Sequence, residues 1–394
     1  MLKEDVFIVG AARTAVGSFL GMYSNTPAPR LGCTVIKAAI ERASLKPEDV
    51  GEVFMGCVLT GAQGQAPTRQ ASRYAGVPDS VPCTGVAKVC GSGAQAIILG
   101  ARAVVLGEQE IVVAGGMENM TMAPFAMPEG RTGYRMGTGK VLDEMIHDGL
   151  WDPYGNQHMG MFAEKCAEKY GFTREAQDKF AVTSYKRALA AIEAGRFDAE
   201  IEPVVVKDRK KGDVELKIDE EPRKFNEEKM LKLPPAFKKD GTVTAGNASS
   251  INDGAAAVIL ASAKAVKEKH LRPLARIVGW AGHAQAPEWF TTAPVYAMKK
   301  NLESCNLGVR DIDLWEINEA FAVVTMAGIE ELGLDAEKVN VNGGGCSIGH
   351  PIGATGARLM VTLLYAMKDR GAKRGLSSMC IGGGEALSTI VESV

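Results

Sequence analysis

The sequence predicts an α/β fold built twice, with two related sheet-and-helix repeats and a loop-rich segment set between them. Two stretches near opposite ends, KVCGSGAQAIILGARAVVLG from Lys88 and CSIGHPIGATGARLMVTLLYAM from Cys346, each hold a reactive residue at a glycine-rich turn that opens a long apolar helix. Cys90 in the first copy matches His350 in the second. The flanking landmarks repeat in the same order: Val6-Phe7-Ile8-Val9-Gly10 resembles Ala275-Arg276-Ile277-Val278-Gly279, and Leu45 to Val50 resembles Leu307 to Ile312. The repeat is far longer than the units of solenoids, which run to about 20–50 residues, so it implies two related domains.

In chain order, VFIVG opens the first repeat as a strand. The helix after Cys90 runs to Gly107, and the strand Ile111 to Gly116 follows it. From about Met120 to Ile251 the character changes. Methionine and glycine dominate GMENMTMAPFAMPEGRTGYRMGTGK, a charged helix pair spans about Phe162 to Ala194, and Glu202 to Ile218 alternates as a hairpin about Lys210-Lys211-Gly212-Asp213. This segment reads as an inserted cap, well placed to bind a long polar ligand at the seam of the repeats. In the second repeat, Asp313 to Ile317 reads as a strand, the helix after His350 runs to Gly371, and Met379 to Gly384 corresponds to Ile111 to Gly116. The domains are therefore 1–119 with 252–272, then 120–251, then 273–394.

At 394 residues and 46% hydrophobic content the chain can bury more than one core. A net charge of −2 gives no general reason to bind nucleic acid. Eight cysteines show no CxxC pair, and the first residues lead into a strand without a secretory core, so the expected setting is a reducing cytoplasm with free thiols. No run approaches the ~20 apolar residues of a membrane span.

A cysteine at the start of a helix meets free amide donors and a positive potential that favour a thiolate. Cys90 is thus the candidate nucleophile, although an isolated cysteine there would be an ordinary buried small residue. CGSGAQA also fits a loose dinucleotide fingerprint, but PCTGVAK before it is a poor strand, and no acidic residue ends a second strand at the usual distance. His350 sits between Gly343-Gly344-Gly345, Gly349 and a proline, a backbone suited to close ligand approach. Cys380 precedes Gly382-Gly383-Gly384. Asn318-Glu319 follows a strand, where side chains commonly face a ligand crevice, with helix capping by Asn318 as the alternative.

These residues resemble a known family. VCGSG around Cys90, GGMENM from Gly115, GNASSINDGAAA from Gly246, NEAFA from Asn318, GHPIGATGAR from Gly349 and CIGGG from Cys380 are similar to the motif set of the thiolases, over essentially the whole chain and in order. The resemblance implies the duplicated thiolase fold, with two mixed five-stranded sheets in a five-layer α-β-α-β-α stack and an inserted loop domain. It implies acetyl-CoA C-acetyltransferase activity, the reversible condensation of two acetyl-CoA to acetoacetyl-CoA and CoA through an acetyl-cysteine. The alternatives are a 3-ketoacyl-CoA thiolase of broader chain length and a silent acyl-CoA-binding relative. Ketoacyl synthases share the fold and typically lack a cysteine in the CIGGG position, so Cys380 favours the thiolase branch.

A thiol is mostly protonated at neutral pH, so Cys90 needs a base, and His350 is the candidate. Carbon–carbon cleavage leaves an enolate that must be protonated at carbon, the role the resemblance gives to Cys380. It assigns the enolate oxygen to His350 and a water held by Asn318, and the thioester oxyanion to the amides of Cys90 and Gly382. No metal or redox cofactor is required, and coenzyme A is substrate and product. The resemblance also carries CoA contacts onto His158, Met159, Phe237, Ala245 and Ser249, an acyl-pocket wall onto Phe321, and an adenine-stacking role onto Arg223. Lys210, Lys211, Arg223, Lys224 and Lys229 form a local positive cluster for CoA phosphates. Three departures stand out: Ala87 where relatives often have asparagine, Cys346 beside the histidine loop, and Glu385 in GGGEA. Pro124 to Lys140 includes Phe125, Met127, Tyr134 and Met136, which are costly to leave in water, and the resemblance implies a homotetramer that uses this stretch to join two dimers. Partners are then acyl-CoA substrates, with no nucleic acid and no membrane.

Overall fold

Nine strands build the sheet around which everything else is placed: β1 Val6–Arg13, β2 Glu52–Gly56, β3 Cys83–Val86, β4 Ile111–Asn119, β5 Asn252–Ser262, β6 Ala275–Ala284, β7 Leu314–Ile317, β8 Arg374–Ile381 and β9 Glu385–Glu392. The structure is a computed structural model and describes residues 4–208 and 212–394. The strand order is β7-β8-β9-β6-β1-β5-β4-β2-β3, and Gly17–Ser18 adds a short tenth strand against β5.

The duplication is written in the pairing. In the first half β3, β2 and β4 are parallel neighbours, while β5 and β1 add antiparallel. In the second half β7 and β8 are parallel, while β9 and β6 add antiparallel. The counterpart of β3 is reduced to one parallel bridge, Trp315 to Val339. Even the irregularities repeat: the register shifts at Ile8/Gly10 in β1 and at Ile277/Gly279 in β6. Two features differ from the sequence reading. The two sheets are one, because Val6, Phe7 and Ile8 pair antiparallel with Ile277, Arg276 and Ala275, so each edge satisfies the backbone groups of the other. PCTGVAK does contain a strand. Cys83–Val86 is a short sheet edge whose Thr84 and Gly85 face solvent, which removes the apolar pattern that marks a central strand.

Helices form three layers about this sheet. α1 Ala28–Arg42 and α2 Pro67–Tyr74 cover the outer face of the first half, with Val35, Ile36 and Ile40 packed on Val53 and Val113. α3 Ser92–Val105 lies in the middle. α4 Met159–Tyr170 and α5 Arg174–Glu193 belong to the cap, and α6 Ala293–Ser304 and α7 Ala322–Leu332 cover the outer face of the second half. α8 Thr355–Arg370 joins α3 in the middle layer, and one core of Ile97, Ala101, Met360 and Leu363 is shared by strands of both halves. The two central helices touch near their starts. A Cβ on Gly93 would lie 2.9 Å from the Ala357 nitrogen, and one on Gly356 would lie 2.4 Å from the Ala94 nitrogen, so only glycine permits this approach.

The cap carries the expected helix pair and hairpin, Val204–Asp208 against Gly212–Leu216. Lys210 and Lys211 lie outside the described residues. Arg13, fully buried, holds the cap to the first repeat by a bidentate contact to Asp219 at 2.8 and 3.0 Å and a third bond to Glu200. Removing one partner of such a pair strands a buried charge and costs about 3–5 kcal/mol.

Candidate active site

Cys90 stands where β3 turns into α3. Val89 adopts φ +44°, Gly91 donates to the Lys88 carbonyl at 3.0 Å, and the Ser92 hydroxyl accepts from the Lys88 amide at 2.9 Å while donating to the Val89 carbonyl at 2.7 Å. This small knot aims the half-buried sulfur into a pocket. Burial pushes the Cys90 thiol up to about 11, against the amides of Gly382 and Cys90 itself, which favour the thiolate. The amide donors at the helix start favour the thiolate as expected, but they do not offset burial. Loss of water outweighs two amides, so Cys90 depends on a base.

His350 is that neighbour. Its backbone amide donates to Asn252 Oδ1 at 2.9 Å, and its Nδ1 lies 2.6 Å from Thr355 Oγ1. Thr355 spends its only hydrogen on the Pro351 carbonyl at 2.8 Å, so Nδ1 must carry the proton and Nε2 is left as an acceptor. Asn318 Nδ2 approaches Nε2 at 3.4 Å. Burial, with a smaller contribution from Arg358, holds the imidazole down at about 3, so it is neutral at physiological pH. Asn318 is not a helix cap, because α7 starts after Phe321; its Oδ1 is buried without a hydrogen bond among the described residues.

Cys380 closes the arrangement from β8. It is fully buried, beside Phe321 and Met159, and its thiol is held well above the usual range by burial first and by proximity to Cys90 second. The pocket has a volume of about 340 Å³ and is lined by Cys90, His350 and Gly382. His158, Met159, Phe237, Ala245, Ser249 and Phe321 line it too, all singled out from the sequence. The His158 ring stacks on Phe237 with centroids 4.7 Å apart, and Phe321 meets Phe237 edge-on at 5.9 Å. Arg223 does not join them. It is exposed on the turn Pro222–Lys224, separated from Phe237 by the short helix Glu227–Leu231, and is not among the lining residues. Cys346 is buried, donating to the carbonyls of Asn247 and Glu319 at 3.6 Å, so it takes no part in the pocket.

Several residues of the site escaped the sequence reading. Met120, Ile146, Leu150, Phe290 and Ile352 supply apolar walls, and Ile146 and Leu150 sit on a turn, Met145–Leu150, with π-type pairing. Glu118, in GGMENM, is buried and accepts amides from Val58 at 3.0 Å, Leu59 at 3.2 Å and Gly353 at 2.9 Å, tying a loop of the first repeat to the histidine turn of the second. Burial raises its carboxyl to about 7 despite these donors. Thr355 and Glu118 lay inside quoted motifs, yet nothing in the spacing says which neighbour each faces.

Comparison with known proteins gives concordant likenesses. Residues 6–264 match the family described as Thiolase, N-terminal domain, and residues 271–393 match Thiolase, C-terminal domain. A Cupriavidus necator protein named acetyl-CoA acetyltransferase is 54% identical over 98% of this chain and 99% of its own. A Bos taurus protein named acetyl-CoA acetyltransferase, mitochondrial, is 48% identical over 99% of this chain and 92% of its own. The crystal structure of the Bacillus anthracis acetyl-CoA acetyltransferase superposes with a TM-score of 0.97 at 42% identity, covering 99% of each chain.

Proposed function

This chain belongs to the thiolase family, and from that premise we propose that it is an acetyl-CoA C-acetyltransferase, forming acetoacetyl-CoA and CoA reversibly from two acetyl-CoA. The observation that carries the reading is the meeting of Cys90 from one repeat with His350 from the other on the wall of one pocket. In thiolysis, His350 Nε2 takes the Cys90 proton as the sulfur attacks the keto carbon. The carbon–carbon bond then breaks, leaving acetyl on Cys90 and an enolate of acetyl-CoA, which Cys380 protonates at carbon. The CoA thiol then attacks the acetyl carbonyl, giving its proton to the Cys380 thiolate, and Cys90 leaves as a thiolate that recovers its proton from His350. The amides of Cys90 and Gly382 hold the thioester oxyanion; His350 and a water on Asn318 hold the enolate oxygen. Oxyanion donors of this kind contribute roughly 3–4 kcal/mol each. The proposed steps use no metal or redox cofactor.

His158, Met159, Phe237, Ala245 and Ser249 are proposed to hold the pantetheine arm and Phe321 the acyl group. The eight free cysteines support a reducing compartment such as the cytoplasm. No helix among the described residues is long and apolar enough to cross a membrane. Phe125, Met127 and Met136 are exposed at 68%, 57% and 100% in the single chain, which supports a homotetramer joined through the Pro124 to Lys140 stretch. The test of the central reading is brief incubation with acetyl-CoA followed by peptide mass spectrometry. Acetylation on Cys90 is expected, and a label confined to Cys346 or Cys380 would overturn it. A profile over 3-ketoacyl-CoA chain lengths separates the acetyl-specific enzyme from one of broader range.

A further inference from the structure

The turns that hold Cys90 and Cys380 pack directly on each other. A Cβ on Gly91 would lie 2.4 Å from Ile381 Cδ1, and one on Gly382 would lie 3.4 Å from Val89 Cγ1. At the rim of this contact Lys88 Nζ pairs with the Glu385 carboxylate. Lys88 is anchored by the Ser92 hydroxyl and the Gly91 amide, two residues before the nucleophile. Glu385 opens β9 immediately after Gly383 and Gly384, both at φ +89°. The turn is closed by the Ile381–Glu385 pairing and by the Gln285 amide on the Gly384 carbonyl at 2.9 Å, and the Lys88–Glu385 pair adds a tie from it to the Cys90 turn.

We propose that Lys88 and Glu385 are positioning residues that clamp the Gly382–Gly384 turn onto the Cys90 turn and so hold the Gly382 amide at the Cys90 sulfur. The clamp rests on the reading of Cys90 as nucleophile. Both side chains are partly exposed, and such pairs contribute little to global stability. Their effect is therefore local, on the reactivity of the sulfur rather than on folding.

The test is a double-mutant cycle on the intact protein with Lys88→Ala, Glu385→Ala, Lys88→Glu, Glu385→Lys and the combined charge reversal. Thiolysis kcat and KM, melting temperature, and the rate of Cys90 alkylation by iodoacetamide, located by peptide mass spectrometry, are read for each. The single variants are expected to lower kcat and the alkylation rate about three- to fivefold with KM and melting temperature unchanged, and the reversed pair to recover to within about twofold of the parent. Single variants that match the parent, or a reversed pair that fails to recover, would overturn the clamp. So would opposite shifts in KM at constant kcat, which mark two charges acting on the anionic ligand. A parent protein that alkylates at Cys90 but is never acetylated there refutes the nucleophile reading instead, and the two failures stay distinct.

Discussion

Thr355 fixes the tautomer of His350: its hydroxyl accepts from Nδ1 at 2.6 Å because its own hydrogen is committed to the Pro351 carbonyl. The acceptor nitrogen that faces Asn318 thus owes its lone pair to a threonine five residues on, at the start of α8.

Thr355→Val keeps the shape and removes the acceptor. A buried imidazole N–H left without a partner costs about 1–3 kcal/mol, so the ring shifts its proton or its orientation. We expect kcat to fall on the order of 10- to 100-fold, with Thr355→Ser recovering most of it. Equal losses in the valine and serine variants would show that packing, not the hydrogen bond, is what matters.

Cys380→Ala separates acyl transfer from carbon acid chemistry. The variant is expected to acetylate at Cys90 and yet fail to exchange the α-protons of acetyl-CoA with deuterium, a loss on the order of 10² to 10⁴ in rate. Mass spectrometry of the acetyl-enzyme and NMR of the exchange report the two halves independently. Normal exchange in the variant would refute the role of Cys380.

Burial raises the carboxyls of Glu118, Asp253 and Glu316 to about 7, 6 and 8, above their values in an unfolded chain. The folded state therefore binds more protons than the unfolded state in this window, and stability falls as pH rises through it. Glu118 alone, moved from 4.5 to about 7, accounts for a loss on the order of 3 kcal/mol between pH 5 and 8. Melting temperatures measured across that range should decline more steeply in the parent than in Glu118→Gln. Parallel curves would show that Glu118 titrates normally.

Deleting Pro128 to Gly139 removes Met136 and most of the exposed stretch but none of the pocket residues. Light scattering is expected to show a tetramer for the intact protein and an active dimer for the deletion. If the intact protein is already dimeric at micromolar concentration, the stretch has another purpose.

Cys90 and His350 stood out because each opens one copy of a repeated glycine-rich turn, although some of those glycines, Gly93 and Gly356, serve the approach of the two central helices. The charged helix pair expected over about Phe162 to Ala194 is present as Met159–Tyr170 and Arg174–Glu193. What stayed hidden is whatever depends on which turn faces which. Glu118 meets Gly353 across 235 positions, and no local pattern encodes that. Phe290 reaches the pocket from a 3₁₀ segment, Pro287–Thr292, that has no strong period of its own. Arg223 lies outside the pocket, with the helix Glu227–Leu231 between it and Phe237 in the chain, and its adenine contact stands as a proposal. The seam between sheets was equally invisible, since three paired residues in each strand leave no mark on hydrophobic alternation.

The place of β5 between β4 and β1 dictates when the protein can fold during its own synthesis. The first strand pairs only with segments far downstream, Asn252–Ser262 and Ala275–Ala284, so β1 waits while the entire cap is made. Such distant pairing is entropically slow. Until residue 262 emerges, β1 and β4 each carry an open edge, the condition under which nascent chains associate wrongly. Completion of β5 closes both edges in one event, and the freed margin of β1 is then ready to receive β6 a few residues later. A pause in translation before Ser262 has emerged from the ribosome would lengthen the hazardous interval, and one after it has emerged would not.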